Sequence, residues 1–187
     1  GRSGMEKATQ ELGRLKRQYG ADLVIVNGEN AAERNGITEK QFRDLRFAGA
    51  DVITLGNHAW ANQEIYNFID REDAIIRPLN YPAGTPGRGY TIVDMGRVQV
   101  AVVNLLGNVF VSSLPSKVGE ASKSIHPDFF VARFLFVAIF TVGTALPKGV
   151  PLPVVKSIIC TPDAIRFVTA TISFPGPFNS ERPFLVR

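Results

Sequence analysis

The sequence predicts an α/β fold with parallel strands, and three observations lead to this class. Short apolar runs of β-forming residues alternate with segments whose apolar residues recur at helical spacing. Two of these runs, residues 22–26 and 51–55, flank one helical segment, and a strand–helix–strand connection makes the two strands parallel. Each run ends in polar side chains beside a glycine. Both carboxyl ends should therefore lie along one edge of the sheet, where α/β proteins bind ligands.

The helices are predicted from spacing and capping residues. Thr38 to Gln41 form a capping box, and the helix that they open turns Phe42 and Leu45 inward. Asn62 is predicted to cap a further helix. The first helix is predicted from apolar residues at helical spacing and a terminal glycine: Met5, Ala8, Leu12, Leu15, Tyr19 and Gly20.

Two further strand segments follow in the sequence. Ile75 and Ile76 predict a short strand. Residues 90–94 and 98–105 flank Met95-Gly96, which predicts a β-hairpin.

Composition narrows the class of protein. The 187 residues are 45% hydrophobic and 20% charged, which is typical of one globular domain with an appendage. A single cysteine, Cys160, excludes an internal disulfide framework and fits a reducing, cytoplasmic compartment. The net charge is +4, but the basic side chains form no cluster along the sequence. Binding to a nucleic-acid duplex is therefore not favoured. The start has no signal peptide, and Met5 lies inside a helical pattern, which suggests a fragment.

Composition also changes along the chain, near residue 107. All of the excess positive charge and most of the phenylalanines and prolines follow this point, whereas every tyrosine precedes it. We therefore expect residues 1–110 and residues 111–187 to be separate units, the second an atypical tail.

The two parallel strand ends present groups suited to catalysis. Glu29 and Asn30 follow the first strand, and Asn57 and His58 follow the second. A carboxylate can bridge two cations, an amide oxygen is a neutral hard ligand, and a histidine can bind metal or transfer a proton. Two metal ions held there would suit phosphoryl transfer. The plain alternative is that Asn27-Gly28 is an ordinary turn and His58 a polar edge residue.

Five segments of the chain resemble a known family, the bacterial calcineurin-like metallophosphoesterases of the group acting on 2′,3′-cyclic nucleotides. The resemblance covers residues 1 to about 110. It is carried by NGENAA (27–32), GITEK (36–40), AGADVITLGNHAW (48–60), IIRPLNYPAGTPGRGYT (75–91) and VAVVNLLG (100–107). It implies a sandwich of mixed β-sheets flanked by helices, incomplete in this chain, and hydrolysis of a small cyclic nucleotide.

The resemblance also implies residue roles. Glu29 matches the carboxylate that bridges two metal ions, usually iron or manganese. Asn30 matches its neighbour, a metal ligand or a group beside the ligands. Asn57 matches the amide ligand of the second metal, and His58 matches the catalytic histidine. The loop 77–90 either frames the substrate pocket or is a rigid surface connection. The sequence leaves the metal, the substrate and the oligomeric state open, and a homo-oligomer is compatible with it.

The chain departs from the family pattern in its ligands. The family's first-strand aspartate and its three later histidine ligands have no counterpart, because the chain has only His58 and His126 and the latter lies in an unrelated context. Loss of these ligands should abolish binding of a metal pair. The sequence thus predicts a phosphodiesterase family member that is inactive in this form. The alternative is a non-catalytic remnant that binds a ligand or partner.

Residues 111–187 are open to three interpretations. A wrong reading frame or a fusion is favoured, a divergent natural tail comes next, and a membrane segment is least favoured. The apolar run 129–146 just reaches the length of a membrane span, but its β-branched and aromatic residues equally suit buried strands.

Overall fold

The computed structural model describes residues 1–96 and 99–106 with their side chains. It also describes the backbone of three strands further along, Phe134–Thr141, Ile158–Ile159 and Phe167–Thr171. His126 lies outside these described residues, as do the parts of the apolar run 129–146 that flank Phe134–Thr141.

The first sheet is parallel throughout. Its members are β1 (Leu23–Asn27), β2 (Val52–Thr54), β3 (Ile75–Ile76) and β8 (Phe167–Thr171), in the order β3-β2-β1-β8. β1 pairs with β2 from Ile25 opposite Val52 to Asn27 opposite Thr54. The predicted parallel relation of these two strands is confirmed, and their carboxyl ends lie side by side.

The second sheet is mixed. It contains β4 (Tyr90–Asp94), β5 (Gln99–Leu106), β6 (Phe134–Thr141) and β7 (Ile158–Ile159), paired in chain order. β4 and β5 form the predicted antiparallel hairpin, whose turn includes Gly96 at a φ of 76°. β5 and β6 are parallel, and β6 and β7 are antiparallel.

Two α-helices cover the first sheet. Helix α1 (Arg2–Tyr19) ends at Gly20, whose left-handed conformation confirms the predicted helix terminus. Helix α2 (Glu39–Phe47) begins with the predicted capping box, and Phe42 and Leu45 are buried. Asn62 caps a shorter element than expected, a 3₁₀ helix at Gln63–Asn67, since its hydrogen bonds close after only five residues.

The core has two layers because side chains alternate across β1. Val24 and Val26 face the helices, in a cluster that includes Leu12, Phe42 and Leu45. Leu23 and Ile25 face the other way and pack with Val100 and Val102 of the second sheet. The expected sandwich of mixed sheets flanked by helices is confirmed.

Three strands from beyond residue 110 take part in this sandwich. β8 pairs with β1 over five residues, and β6 pairs with β5 over eight. Within the apolar run 129–146, the described part is therefore a strand. Among the described residues, no helix has the length and apolar character needed to cross a membrane. The division at residue 110 and the origin of the tail stay predictions.

Candidate functional site

The loop after β1 turns sharply so that Glu29 faces the end of β2. The Glu29 backbone N–H donates to Asn27 Oδ1 at 2.9 Å, and the Gly28 N–H donates to the Thr54 carbonyl at 2.9 Å. A Cβ atom on Gly28 would lie 2.7 Å from Ile53 Cγ2. Glycine is therefore needed for this loop to pack directly on the neighbouring strand.

The loop after β2 makes room for the Glu29 carboxylate. A Cβ atom on Gly56 would lie 2.3 Å from both Cδ and Oε2 of Glu29. No side chain larger than hydrogen fits there, so the loop after β2 packs directly against the Glu29 carboxylate. The apolar run 51–55 ends at this glycine for a steric reason.

Glu29 is buried and is held mainly by backbone donors. It is only 2% exposed, and the His58 backbone N–H donates to its Oε1 at 3.1 Å. Burial raises the pKa of the Glu29 carboxyl, while the backbone N–H groups of His58 and Asn57 and the nearby imidazole act in the opposite direction. A buried carboxylate whose charge is only partly compensated is suited to accept a cation.

The His58 ring is oriented by Asn30. Its Nδ1 lies 3.0 Å from Asn30 Oδ1 and 3.4 Å from Glu29 Oε1. Asn30 Oδ1 is an acceptor, so the tautomer that satisfies it carries hydrogen on Nδ1 and leaves Nε2 as the second functional nitrogen. The structure thus brings Glu29, Asn30 and His58 into direct contact, which confirms the predicted grouping.

Asn57 joins the same cluster through its backbone, and its side-chain oxygen is left over. Asn57 Oδ1 is buried and has no hydrogen-bond partner among the described residues. Buried polar atoms almost always have a partner, and a neutral amide oxygen is a good ligand for a hard metal ion. An orphaned amide oxygen on the strand end next to a buried carboxylate fits one side of a metal centre.

The described residues do not complete such a centre. They include no group of three or more His, Cys, Asp or Glu side chains that could hold a metal ion. The residues assigned from the resemblance therefore fit as a partial ligand set, with one carboxylate, two amides and one imidazole.

Three aromatic residues beside this cluster were not identified from the sequence. The Tyr81 hydroxyl donates to the Gly56 carbonyl at 3.2 Å, and the Tyr81 ring meets Trp60 edge-on at a centroid distance of 6.2 Å. Tyr66 stacks on the other side of this group, 5.2 Å from Trp60. Only the position of Trp60, two residues after His58, could have indicated their proximity to the site.

The loop 77–90 is held together by hydrogen bonds from Arg77, and its Tyr81 contacts the site at Gly56. The Arg77 guanidinium donates to the Pro78, Thr85 and Pro86 carbonyls at 2.8, 3.1 and 3.2 Å. Burial lowers the pKa of Arg77. Because these three bonds fix the loop, Tyr81 is held in place. These bonds agree with the interpretation of the loop as a structured connection, and its role in framing a substrate pocket stays a prediction.

Comparison with known proteins identifies the family. The sequence profile of the YmdB-like protein family matches residues 1–133. The 2′,3′-cyclic-nucleotide 2′-phosphodiesterase of Bacillus subtilis is 41% identical over 145 residues, which is 78% of this chain and 55% of that protein.

Two solved structures share the fold. A crystal structure of a hypothetical protein from Thermus thermophilus superposes with a TM-score of 0.58 at 37% identity, covering 65% of this chain and 46% of that one. A novel phosphatase of Mycoplasma pneumoniae superposes with a TM-score of 0.60 at 28% identity, covering 75% and 51%. The chain spans about half the length of each of these three proteins. The family indicated by the sequence motifs is confirmed, and the chain belongs to the YmdB-like proteins.

Proposed function

We propose that the protein is a metal-dependent phosphodiesterase that acts on small nucleotides, 2′,3′-cyclic nucleotides in particular. One observation carries the proposal: a buried carboxylate, Glu29, lies against His58 at the joined ends of β1 and β2, beside the orphaned Asn57 Oδ1. The relative from Bacillus subtilis, named for this substrate class, supports the choice of substrate.

Two side chains of this chain would hold the metal centre, and a third would orient the catalytic histidine. The metal ions would be held by the Glu29 carboxylate and by Asn57 Oδ1, which lacks a partner among the described residues. Asn30 holds the His58 ring through Nδ1, so its main contribution would be orientation. When bound, metal ions of this kind, iron or manganese, stabilise the charge on the phosphate and lower the pKa of the attacking water.

His58 would supply the proton. With Nδ1–H donating to Asn30, the ring would act as an imidazolium whose Nε2–H gives its proton to the leaving oxygen as the P–O bond breaks, and the neutral Nδ1–H ring would remain. The imidazole is partly exposed, with 29% of its side-chain surface accessible, so a substrate can reach it. Gly56 keeps Glu29 and His58 close, since its lack of a side chain permits the contact.

The 187-residue chain on its own should turn over little substrate. It contains two histidines in all, and the described residues contribute only Glu29, Asn57 and their neighbours as donors. Too few ligands would leave the affinity for a metal pair low. A version that adds the family's aspartate and three histidines should be active, and we call this version the complete form.

The test compares both forms on 2′,3′-cyclic AMP with manganese or iron supplied. We expect turnover from the complete form alone, and His58→Ala should reduce it by about 10²–10⁴-fold, the usual worth of a positioned proton donor. Asn67→Ala, at an exposed position of the 3₁₀ helix, is the matched control and should behave as wild type. Calorimetric titration with manganese should show that Glu29→Ala weakens metal binding in the complete form.

The alternative from the sequence, a non-catalytic binding remnant, makes a different prediction. It is favoured by the small number of histidines. It requires that the complete form bind the nucleotide without hydrolysing it. Metal-dependent turnover by the 187-residue chain itself, lost in Glu29→Ala, would contradict both the partial ligand set and this alternative.

A further inference from the structure

A row of three aromatic side chains leads away from the Glu29–His58 cluster. Tyr81 meets Trp60 edge-on at 6.2 Å with an interplanar angle of 68°, and Trp60 stacks on Tyr66 at 5.2 Å and 22°. We refer to these three residues as the aromatic row. Edge-on and stacked arrangements are both favourable, so each ring fixes the next.

The inner end of the row is joined to the site through one peptide group. The Gly56 carbonyl accepts hydrogen bonds from the Tyr81 hydroxyl at 3.2 Å and from the Ala59 N–H at 3.2 Å. The α-carbon of the same residue lies against the Glu29 carboxylate, since a Cβ there would collide with it. Tyr81 is therefore fixed relative to the groups that would face a phosphate.

The outer end of the row is open. Tyr66 is 52% exposed, whereas Trp60 and Tyr81 are partly buried. Tyr66 is not an isolated surface aromatic, because its ring stacks on Trp60 at an interplanar angle of 22°. The result is a fixed ring next to a catalytic cluster, with part of its surface available to a flat ligand.

We propose that the aromatic row is the nucleobase subsite of this protein: the base stacks on the exposed Tyr66–Trp60 end while the phosphate lies at Glu29 and His58. This inference rests on the proposed function for its substrate class. Trp60 follows His58 by two residues, and Tyr81 is bonded to the Gly56 carbonyl, so the row lies next to the proposed phosphate site.

The chemistry of the row predicts how it would select ligands. Stacking on an aromatic ring tolerates any base, because every base has a π-face. The subsite should therefore distinguish nucleotides from phosphodiesters that lack a base, and should rank bases by stacking area. It should not read hydrogen-bonding edges.

Trp60 offers a direct readout, since it is the single tryptophan of the chain. Its fluorescence is followed while the 187-residue protein is titrated with 2′,3′-cyclic AMP or with glycerol 1,2-cyclic phosphate, which lacks a base. We expect saturable quenching by the cyclic nucleotide only. Tyr66→Ala should weaken nucleotide binding about tenfold, and Tyr66→Phe should retain it. Phe47→Ala, which removes the 97% exposed ring at the end of α2, should change nothing.

The outcomes separate the subsite from the proposed function. If the cyclic nucleotide does not quench Trp60, or binds to Tyr66→Ala as tightly as to wild type, the subsite is refuted, whatever the complete form hydrolyses. If quenching and the Tyr66 effect are found but the complete form hydrolyses neither ester, the subsite stands and the proposed hydrolysis fails. In an active complete form, Tyr66→Ala should raise KM for the nucleotide about tenfold, with kcat unchanged and with glycerol 1,2-cyclic phosphate unaffected.

Discussion

Glu29 fits its buried position because residue 56 is a glycine without a side chain. Its carboxylate fills the space that any side chain at position 56 would need. The backbone of the second loop then supplies donors from His58 and Asn57. The steric fit and the hydrogen bonds act on the same carboxylate, so a change on either side should alter its position.

Gly56→Ala tests this fit. The added methyl group would overlap the Glu29 carboxylate, and overpacking of this kind costs about 1–3 kcal/mol of stability. Gly13→Ala is the matched control, because position 13 lies in helix α1 with its nearest neighbour at 3.5 Å. This second change should stabilise the protein by about 1 kcal/mol, the helix preference of alanine over glycine. Urea denaturation measures both, and equal effects of the same sign would contradict the steric argument.

Tyr81 should make the stability depend on alkaline pH. Burial raises the pKa of the Tyr81 phenol to about 12, the negative charge of Glu29 adds to this rise, and Arg77 opposes it. The fold therefore favours the neutral phenol. This contribution to stability is complete below the ordinary pKa of 10.0 and is lost as the pH rises through about 12.

Ultraviolet difference titration of the tyrosines measures the effect. We expect one of the four tyrosines to ionise at about 12, and Tyr81→Phe to lack that step. Tyr66→Phe is the control, since it should leave the late step in place. An unchanged late step in Tyr81→Phe would show that another group causes it.

At the scale of elements, helix α2 anchors the loop that carries Glu29 and Asn30. The Thr38 hydroxyl accepts from the Gln41 N–H at 3.2 Å, and the Gln41 side chain accepts from the Thr38 N–H at 3.0 Å. The Gln41 amide also donates to the Ala31 carbonyl at 3.0 Å. The helix start is therefore tied to the residue that follows Asn30.

Thr38→Ala should test this link. Loss of a helix cap costs about 0.5–2 kcal/mol, and the loop beside it should become more mobile. Lys40→Ala lies in the same turn, but the Lys40 side chain is 82% exposed and, within the described part of the chain, forms an ion pair with Asp44. The change should therefore alter stability by less than about 0.5 kcal/mol. Denaturation measures the stabilities, and hydrogen exchange at Gly36, whose N–H donates to the Glu29 carbonyl, measures the loop. If exchange at Gly36 is faster in Lys40→Ala and unchanged in Thr38→Ala, the Thr38 cap does not hold the loop.

The elements were predictable where local chemistry decides them. The capping box at Thr38, the helix end at Gly20 and the turn at Gly96 each depend on residues within a few positions. The parallel pairing of β1 and β2 followed from the helix between them. The length of the 3₁₀ helix at Gln63–Asn67 did not follow, because hydrogen bonding within one turn and burial of Ile65 set it.

The candidate site was predictable in part for the same reason. Its four polar residues follow directly from the two strand ends and from the family motifs. The contact between Asn30 and the His58 ring and the row from Tyr81 to Tyr66 depend on how distant segments fold together. No local pattern marks Tyr81, which reaches Gly56 across 25 positions of the chain.

At the scale of the whole molecule, the core joins segments far apart in the chain. Leu23 and Ile25 of β1 pack against Val100 and Val102 of β5, which holds the two sheets together. Each of these strands has one neighbour from the first 106 residues and one from beyond residue 110. The strands described beyond residue 110 therefore contribute backbone pairing to both sheets.

A chain shortened to residues 1–110 tests how much the later strands contribute. It loses β8 beside β1 and β6 beside β5, so both strands would expose unpaired N–H and C=O groups along a largely buried apolar segment. Unpaired edges of this kind associate with other chains. We expect the short form to unfold at a lower urea concentration and to elute as larger species in size-exclusion chromatography. A chain ending at residue 171 keeps every described strand and is the matched control. If residues 1–110 instead form a monomer as stable as this control, the later residues add nothing to the fold, and the division predicted from composition is supported.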